Sequence, residues 1–197
     1  MVKAVFLDRD GVINLDKAYV HRWDDFEFLP GAVEAMRQLH LAGYILIVVT
    51  NQAGIARGYY TERQFEILTE AMIEHLAAAG VVITAVYHCP HHPAGTVPLL
   101  SVACDCRKPA PGMLRAAARE HGVDLAQSIL VGDKASDLEA ARAAGVGTAY
   151  MVQPDPACLA PAEGLSDGAF KGLADCAQHI LTRSQAINFS QTQEVLR

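Results

Sequence analysis

The stretch VFLDRDGVIN, residues 5–14, decides both the fold and the chemistry of this 197-residue chain. Three apolar residues lead directly into two aspartates, Asp8 and Asp10, which are separated by one arginine and followed by a glycine. The apolar part predicts a short buried strand over 4–7. Two carboxylates at this spacing repel each other unless a cation lies between them or one of them holds a proton. The stretch therefore indicates a cation-binding site at the end of a buried strand.

The composition is that of a folded, acidic protein. Apolar residues make up 51% of the chain and charged residues 19%, which allows a full core and argues against disorder. The formal net charge of −6 argues against a nucleic-acid surface, since phosphate backbones need clustered Lys and Arg. The most apolar run, 44–49, is too short to span a bilayer, and charges interrupt the N-terminal apolar run. We expect a cytoplasmic protein without nucleic-acid or membrane partners.

Apolar runs and helical patterns alternate along the chain. Thr61 and Gln64 have the spacing of a capping box at the start of a helix. The pattern predicts strands over 4–7, 45–50, 81–88, 128–133 and 147–152, with helices within 29–43, 61–80, 111–121 and 136–144. This alternation is typical of an α/β fold with a doubly wound parallel sheet.

The pattern also predicts the domain organisation. We expect a single domain over 1–181 and a polar C-terminal tail over 182–197, for which fraying and docking on a partner subunit are both open. The segment between the first two strands is too short for a large cap domain. A monomer with an open site is therefore the default expectation.

Polar residues follow four of the predicted segments, at the edge where ligands bind in open α/β sheets. These groups are Asp8-Arg9-Asp10, Thr50-Asn51-Gln52, Arg107-Lys108-Pro109 and Gly132-Asp133-Lys134. Mg²⁺ prefers oxygen ligands and is usually held by one or two carboxylates together with water and phosphate. The groups predict a magnesium-dependent phosphoryl site in which Asp8 and Asp133 bind the metal. Asp137, one turn later, either joins the metal site or caps the next helix.

A second cluster of metal-ligand types lies in the segment 89–110, which is rich in Cys, His and Pro. Cys89-Pro90-His91 and Cys104-Asp105-Cys106 bring together three cysteines and a histidine, with His92 as an alternative ligand. Three Cys and one His are a common ligand set of closed, tetrahedral structural zinc sites. A long loop with few apolar residues gains order from such a metal. The segment predicts a structural Zn²⁺, with free thiols as the alternative.

The strand-end groups together resemble the haloacid dehalogenase (HAD)-like phosphatase superfamily. D-x-D-G at 8–11, Thr50, Lys108 and G-D-x-x-x-D at 132–137 look like its four motifs in order. More specifically, FLDRDGVIN, VVTNQAGIARG and HCPHHP with CDCRKPAPGML are similar to the D-glycero-D-manno-heptose-1,7-bisphosphate 7-phosphatases. The related histidinol-phosphate phosphatases share the general pattern. The resemblance covers about residues 3–152.

The resemblance implies a Rossmann-like HAD fold and a phosphoric monoester hydrolase. It implies that the chain removes the C7 phosphate of a heptose bisphosphate, in the biosynthesis of nucleotide-activated heptose for lipopolysaccharide. Its partner would be a small phosphorylated sugar, and its cofactors Mg²⁺ and a structural Zn²⁺.

The resemblance also implies a role for each catalytic residue. Asp8 would be the nucleophile that forms an aspartyl-phosphate, and Asp10 would be the general acid and base. Thr50 would bind the phosphoryl oxygens, and Lys108 would offset their charge in the transition state. The Mg²⁺ ligands would be Asp8, Asp133 and the backbone carbonyl of Asp10.

The zinc ligands and substrate contacts implied by the resemblance form two larger sets. The zinc ligands would be Cys89, His91, Cys104 and Cys106. The substrate-binding positions would be Asp16, Lys17, Ala18, Tyr19, Thr50, Asn51, Gln52, Ala53, Arg107, Lys108 and Lys134. Ala53 stands where the heptose enzymes are expected to carry a serine, which removes one hydroxyl. Arg57 is open between a substrate contact and a solvated loop residue.

Two other functions match parts of the pattern. Histidinol phosphate carries one phosphate and a cation, so its phosphatase would need a carboxylate pocket near the leaving group more than extra Arg and Lys. A receiver-like signalling domain also combines a doubly wound sheet with Asp, Thr and Lys. Its phosphorylated aspartate usually follows a middle strand, however, without a second acid two residues later or a zinc loop.

Overall fold

The computed structural model describes residues 2–153 and 164–195, with side chains described up to residue 186. Its strands are β1 (Ala4–Leu7), β2 (Ile45–Asn51), β3 (Ile83–Cys89), β4 (Ile129–Gly132), β5 (Thr148–Val152) and β6 (Ala169–Phe170). They form one sheet in the order β3-β2-β1-β4-β5-β6, and each strand runs parallel to its neighbours. This sheet confirms the predicted α/β class.

Helices cover both faces of the sheet. They are α1 (Ala32–Leu41), α2 (Ala53–Ala56), α3 (Glu62–Ala78), α4 (Gly112–His121), α5 (Ala135–Ala144) and α6 (Leu173–Val195). Buried residues of α1, α3 and α6 pack on one face with Val5 and Leu7 of β1, while those of α4 and α5 pack on the other with Ala4 and Phe6. Because strand side chains alternate between faces, β1 contributes to both cores and is fully buried. The doubly wound arrangement is confirmed.

Local sequence accounts for the start of α3 but not for every element. The capping box at the start of α3 is confirmed: the Gln64 backbone N–H donates to Thr61 Oγ1 at 3.2 Å, and the Thr61 N–H donates to the Gln64 side chain at 2.9 Å. The segment after β2, which the sequence indicated as a loop, contains the one-turn helix α2, and four residues are too few to show a helical period. β6 and α6 were not predicted, and residues 182–195 continue α6. Of the two cysteines that do not belong to the predicted zinc set, Cys176 lies in α6 and Cys158 lies outside the described residues.

The chain order reverses at the centre of the sheet, between β1 and β4. From β1 the chain proceeds to β2 and β3 on one side, and from β4 to β5 and β6 on the other. The carboxyl ends of the two central strands are neighbours, since the Asp8 N–H donates to the Val131 carbonyl at 3.0 Å. Ligands of open α/β sheets bind at such a switch point. The fold thus directs attention to the residues that follow β1 and β4.

Little of the chain covers the carboxyl-terminal edge of the sheet at the switch point. Between β1 and α1 the described chain adds only one 3₁₀ turn, Trp23–Asp25, so no large cap domain lies there. In the ranges that the structure describes, no helix combines the length and the apolar character needed to cross a bilayer.

Candidate active site

Three carboxylates meet at the switch point. Asp8 follows β1, Asp133 follows β4, and Asp137 lies in the first turn of α5. One oxygen from each lies within 4.8 Å of the others. Burial raises the pKa of Asp133 to about 7, and the Asp8 carboxylate adds to this effect. The cluster is therefore costly without a cation, and its donor set suits Mg²⁺.

Lys108 supplies a fixed positive charge beside this cluster. Its Nζ lies 3.1 Å from Asp8 Oδ1 and 2.6 Å from Asp137 Oδ1, and donates to the Val49 carbonyl at 2.7 Å. Burial alone would lower the pKa of Lys108, but the Asp8 and Asp137 carboxylates outweigh burial and raise it. Lys108 is therefore charged at neutral pH, although it is only 3% exposed.

Asn51 holds the backbone of Lys108 in place. The Asn51 side chain donates to the Lys108 carbonyl at 3.0 Å and accepts from the Lys108 N–H at 3.1 Å. Asn51 was predicted to contact substrate, and the structure gives it this pair of backbone contacts at the rim of the site. The end of β2 and the segment before α4 are thereby joined.

Asp10 lies on the same loop as Asp8 but its carboxylate has different partners. Arg9 Nη2 contacts both Asp10 oxygens at 2.9 Å, and Asn14 donates to Oδ1 at 2.9 Å. Gln52 Nε2 donates to Asp10 Oδ2 at 3.1 Å and to Thr50 Oγ1 at 2.8 Å. The two predicted catalytic groups, Asp10 and Thr50, thus share one amide.

Gly11 allows the loop to pass close to Asp133. Its φ of +89° lies in the left-handed region that favours glycine. A Cβ at this position would lie 2.3 Å from Asp133 Oδ2, which no side chain could accommodate without moving that carboxylate. The glycine of the D-x-D-G motif is therefore required by the approach of β4's aspartate.

A cavity of about 550 Å³ opens over these groups. It is lined by Asp8, Asp10, Asp16, Ala18, Tyr19, Thr50, Asn51, Gln52, Ala53, Tyr60, Arg107, Lys108, Pro109, Lys134, Ser136 and Asp137. The structure thus brings the predicted catalytic residues and all predicted substrate positions except Lys17 to one cavity. Lys17 Nζ instead pairs with Glu27 at 2.9 Å on an exposed loop.

The mouth of the cavity is formed by the loop after β1. Ala18 and Tyr19 both adopt positive φ, 58° and 61°, which is uncommon for residues with a side chain. Lys134 Nζ lies 3.2 Å from Asp16 Oδ2, and Arg57 donates to the Tyr19 hydroxyl at 2.6 Å. These contacts tie the loop to the start of α5 and to the segment after β2.

The predicted zinc residues converge on one point. The three Sγ atoms of Cys89, Cys104 and Cys106 are 3.1 to 3.5 Å apart, and His91 Nδ1 lies 3.3 Å from Cys106 Sγ. A tetrahedral Zn²⁺ with Zn–S bonds of about 2.3 Å separates its thiolates by about 3.8 Å, so the set fits zinc with a small adjustment. His92 lies instead beside Arg57. Arg107 donates to the His91 carbonyl at 3.3 Å, which links this cluster to the cavity.

Comparison with known proteins identifies the family. A family model described as HAD-hydrolase-like matches residues 105–153. D-glycero-beta-D-manno-heptose-1,7-bisphosphate 7-phosphatases from Salmonella typhi and Escherichia coli (strain K12) are 51% and 50% identical to this chain. The alignments cover 88% and 91% of this chain and 93% and 94% of those proteins. The chain belongs to this phosphatase family.

Two solved structures of related sequence share the fold. The crystal structure of D,D-heptose 1,7-bisphosphate phosphatase from B. bronchiseptica, complexed with magnesium and phosphate, is 36% identical, with a TM-score of 0.80. The alignment covers 92% of this chain and 99% of that chain. A putative HAD-like phosphatase from Mesorhizobium loti is 38% identical, with a TM-score of 0.73, over 77% of this chain and 72% of that one.

Two residues of the site were missed or left open by the sequence. Asp137, the last residue of the G-D-x-x-x-D pattern, both caps α5 through the Lys134 N–H at 3.0 Å and contacts Lys108. Tyr60 lines the cavity and donates to Gln52 Oε1 at 2.5 Å. Nothing in the local pattern distinguished Tyr60 from its neighbour Tyr59, which is 57% exposed.

Proposed function

We propose that the chain is a magnesium-dependent phosphatase that removes the C7 phosphate of D-glycero-β-D-manno-heptose 1,7-bisphosphate, a step in the synthesis of nucleotide-activated heptose for lipopolysaccharide. The observation that carries this proposal is the near-complete alignment at about half identity with curated phosphatases of that name. The carboxylate cluster beside Lys108 supplies the chemistry that such a reaction needs. The β anomer is proposed because the relatives are named for it.

Asp8 is the proposed nucleophile. Its Oδ1 accepts from the Arg9 N–H at 2.8 Å and lies 3.1 Å from Lys108 Nζ, so Oδ2 is the oxygen we expect to attack phosphorus. The attack forms an aspartyl-phosphate while the bond from phosphorus to the C7 oxygen breaks, and Asp10 gives a proton to that oxygen. Asp10 then takes a proton from the water that cleaves the aspartyl-phosphate.

Thr50 and Lys108 stabilise the transferred group. Thr50 is 1% exposed and its hydroxyl already accepts from Gln52, so its own proton is available to a phosphoryl oxygen. Lys108 is oriented by two carboxylates and one carbonyl, so its charge needs no rearrangement during the reaction.

Asp8 and Asp133 would hold Mg²⁺ through their carboxylates, together with the backbone carbonyl of Asp10. Asp133 Oδ1 supports this assignment, because it is buried and has no hydrogen-bond partner within the described residues. Magnesium, when bound, supplies charge neutralisation that lets a phosphate dianion approach an acidic cavity. Asp137 orients Lys108 and the start of α5 beside the residues that would hold that ion.

Cys89, His91, Cys104 and Cys106 are proposed as the ligands of a structural Zn²⁺. Their mutual distances and the contact from Arg107 to the His91 carbonyl support a role in fixing the segment that delivers Arg107 and Lys108. These four residues would fill every position of a tetrahedral zinc site, so no water would be activated there.

Arg107 and Lys134 are the proposed partners of the phosphate that stays on the substrate. Both line the cavity, and Lys134 already has an anionic partner in Asp16, which a phosphate would displace or share. This cationic rim favours a bisphosphate over histidinol phosphate. A receiver-like function is disfavoured, because the acidic cluster follows the first strand and Asp10 provides a second acid.

A phosphate-release assay tests the proposal. With Mg²⁺, the purified protein should hydrolyse heptose 1,7-bisphosphate with a kcat/KM at least about tenfold above that for histidinol phosphate, since each charged contact is worth about that factor. The two heptose anomers are compared in parallel. A preference for histidinol phosphate would contradict the substrate assignment, and release without any divalent cation would contradict the magnesium site.

We further propose that the protein acts as a cytoplasmic monomer. The open cavity, completed by residues of a single chain, supports this proposal. Light scattering of the purified protein, and fractionation of cells that express it, provide the test. A dimer at assay concentrations would contradict the monomer.

A further inference from the structure

The carboxylate of Asp10 belongs to a hydrogen-bond relay that begins at Tyr60. Tyr60 donates to Gln52 Oε1 at 2.5 Å, and Gln52 Nε2 donates to Asp10 Oδ2 at 3.1 Å. The same nitrogen donates to Thr50 Oγ1 at 2.8 Å. Tyr60 is therefore two hydrogen bonds away from both the proposed proton carrier and a proposed phosphate-binding hydroxyl.

The Tyr60 hydroxyl decides the orientation of the Gln52 amide. A glutamine amide has an accepting oxygen and a nitrogen with two donors. With the amide oxygen bound to Tyr60, one N–H of the Gln52 amide is available to Asp10 and the other to Thr50. A flipped amide would place its oxygen against the Asp10 carboxylate, and the two acceptors would repel each other. Gln52 is 2% exposed, so solvent offers it little alternative.

Tyr60 is itself held rigidly. Its ring is 4% exposed and stacks on His21, with centroids 4.9 Å apart and an interplanar angle of 1°. On another side it occupies the space left by Gly54, where a Cβ would lie 2.1 Å from Tyr60 Cε1. Burial raises the pKa of Tyr60, which keeps the phenol protonated and able to donate.

We propose that Tyr60 is a positioning residue that fixes Asp10, through Gln52, for proton transfer to the leaving sugar oxygen. Tyr60 neither gains nor loses a proton in this scheme. The proton passes from Asp10 to the oxygen released when its bond to phosphorus breaks. The inference rests on the proposed function only in taking Asp10 as the acid.

The test is Tyr60→Phe, which removes the hydroxyl and leaves the stacked ring. General acid catalysis is worth about 10²–10⁴-fold, so a misplaced acid should lower kcat/KM for heptose bisphosphate about tenfold. p-Nitrophenyl phosphate releases a weakly basic phenolate that needs little protonation. For both substrates kcat/KM reports the formation of the aspartyl-phosphate. The kcat/KM for p-nitrophenyl phosphate should therefore change by less than about twofold.

Two further variants separate positioning from general loss of structure. Tyr44→Phe removes a hydroxyl with a 2.9 Å contact to Ser184 at the opposite end of the sheet, and should leave both kcat/KM values unchanged. In an Asp10→Asn background, Tyr60→Phe should cause no further loss, because both changes act through one group.

Equal losses on the two substrates, or no loss on the sugar phosphate, would overturn the inference. Failure of the wild type on heptose bisphosphate, with activity on other alkyl phosphates, would instead contradict the proposed function. The leaving-group comparison is then made on those alkyl phosphates and still decides the role of Tyr60.

Discussion

Gly11 illustrates how one residue without a side chain maintains the carboxylate cluster. A methyl group at this position would reach within 2.3 Å of Asp133 Oδ2, and the backbone φ of +89° already disfavours any side chain. Two separate penalties thus apply to Gly11→Ala, a clash with the proposed metal ligand Asp133 and a strained backbone.

We expect Gly11→Ala to weaken Mg²⁺ binding and so to raise the half-saturating Mg²⁺ concentration about tenfold or more, as expected when the surroundings of a metal ligand are disturbed. Backbone strain should lower the free energy of unfolding by about 1–2 kcal/mol. Activity against Mg²⁺ concentration and thermal unfolding measure the two effects.

Gly43→Ala is the matched control for this prediction. Gly43 has the same φ of +89°, but a Cβ there would contact nothing within 4 Å. It should show the loss of stability without the change in Mg²⁺ dependence. If the two variants show the same dependence of activity on Mg²⁺ concentration, the approach of Asp133 to position 11 does not affect Mg²⁺ binding.

Asp8→Asn should reduce phosphate release by about 10³-fold or more, because an amide cannot form the aspartyl-phosphate. The fold should persist, since Lys108 keeps its contact with Asp137 at 2.6 Å. Steady-state assays and circular dichroism measure the two properties. Asp24→Asn, which affects an exposed pair with Arg22, is the control. Substantial retained activity would remove Asp8 as nucleophile.

The residues predicted from sequence are those whose spacing is tied to strand ends. Asp8, Thr50 and Asp133 could be found because each lies at the carboxyl end of an apolar strand. Tyr60 could not, because its role depends on Gln52 and on the space beside Gly54, which the chain brings together only through α2. The sequence left the role of Asp137 open, because a carboxylate three residues after Lys134 can cap α5 and can also reach the site. In the structure it does both, through the Lys134 N–H and Lys108.

At the scale of elements, α3 is the helix whose start was best defined by sequence. Thr61→Ala removes one half of its capping box and should lower the free energy of unfolding by about 1 kcal/mol. Denaturant unfolding measures the change, with Thr61→Ser as the control that keeps the hydroxyl. If the two variants are equally stable, the cap does not stabilise α3.

The elements that were missed lack a local period. α2 is a single turn, and β6 pairs only two residues with β5. α6 was missed because its buried residues Leu173, Cys176, Ala177 and Ile180 are followed by a polar continuation. Their helical spacing is regular, but it covers only two turns, and its partner α1 lies far away in sequence.

At the scale of the whole molecule, two distant segments are held against one another around the cavity. The cysteine cluster anchors the segment before Lys108, and Asn51 fastens that segment to the end of β2. We therefore expect Cys104→Ser to abolish zinc binding and to lower the thermal unfolding midpoint by several degrees, since lost metal binding is lost folding free energy. Metal analysis and calorimetry measure these effects.

Cys176→Ala is the control for the zinc prediction. Cys176 is a buried thiol on the core-facing side of α6, apart from the cluster, so its replacement should cost stability while zinc content stays at one per chain. A wild-type protein purified without chelators that contains no zinc would contradict the proposed site.

The sequence predicted the architecture because the alternation of apolar runs and helices is local and the strand-end motifs are ordered. The sheet order was not read from the sequence, because strand pairing depends on contacts between residues far apart in the chain. That order matters, since it makes β1 and β4 neighbours and so brings Asp8 and Asp133 together.

The contact between position 11 and Asp133 also constrains how the protein can evolve. A descendant that acquired alanine at position 11 would have to displace the carboxylate at position 133, and we expect it to bind Mg²⁺ more weakly as a result. The two positions, 122 residues apart, therefore constrain each other, and mutational libraries aimed at new substrates should leave both unchanged.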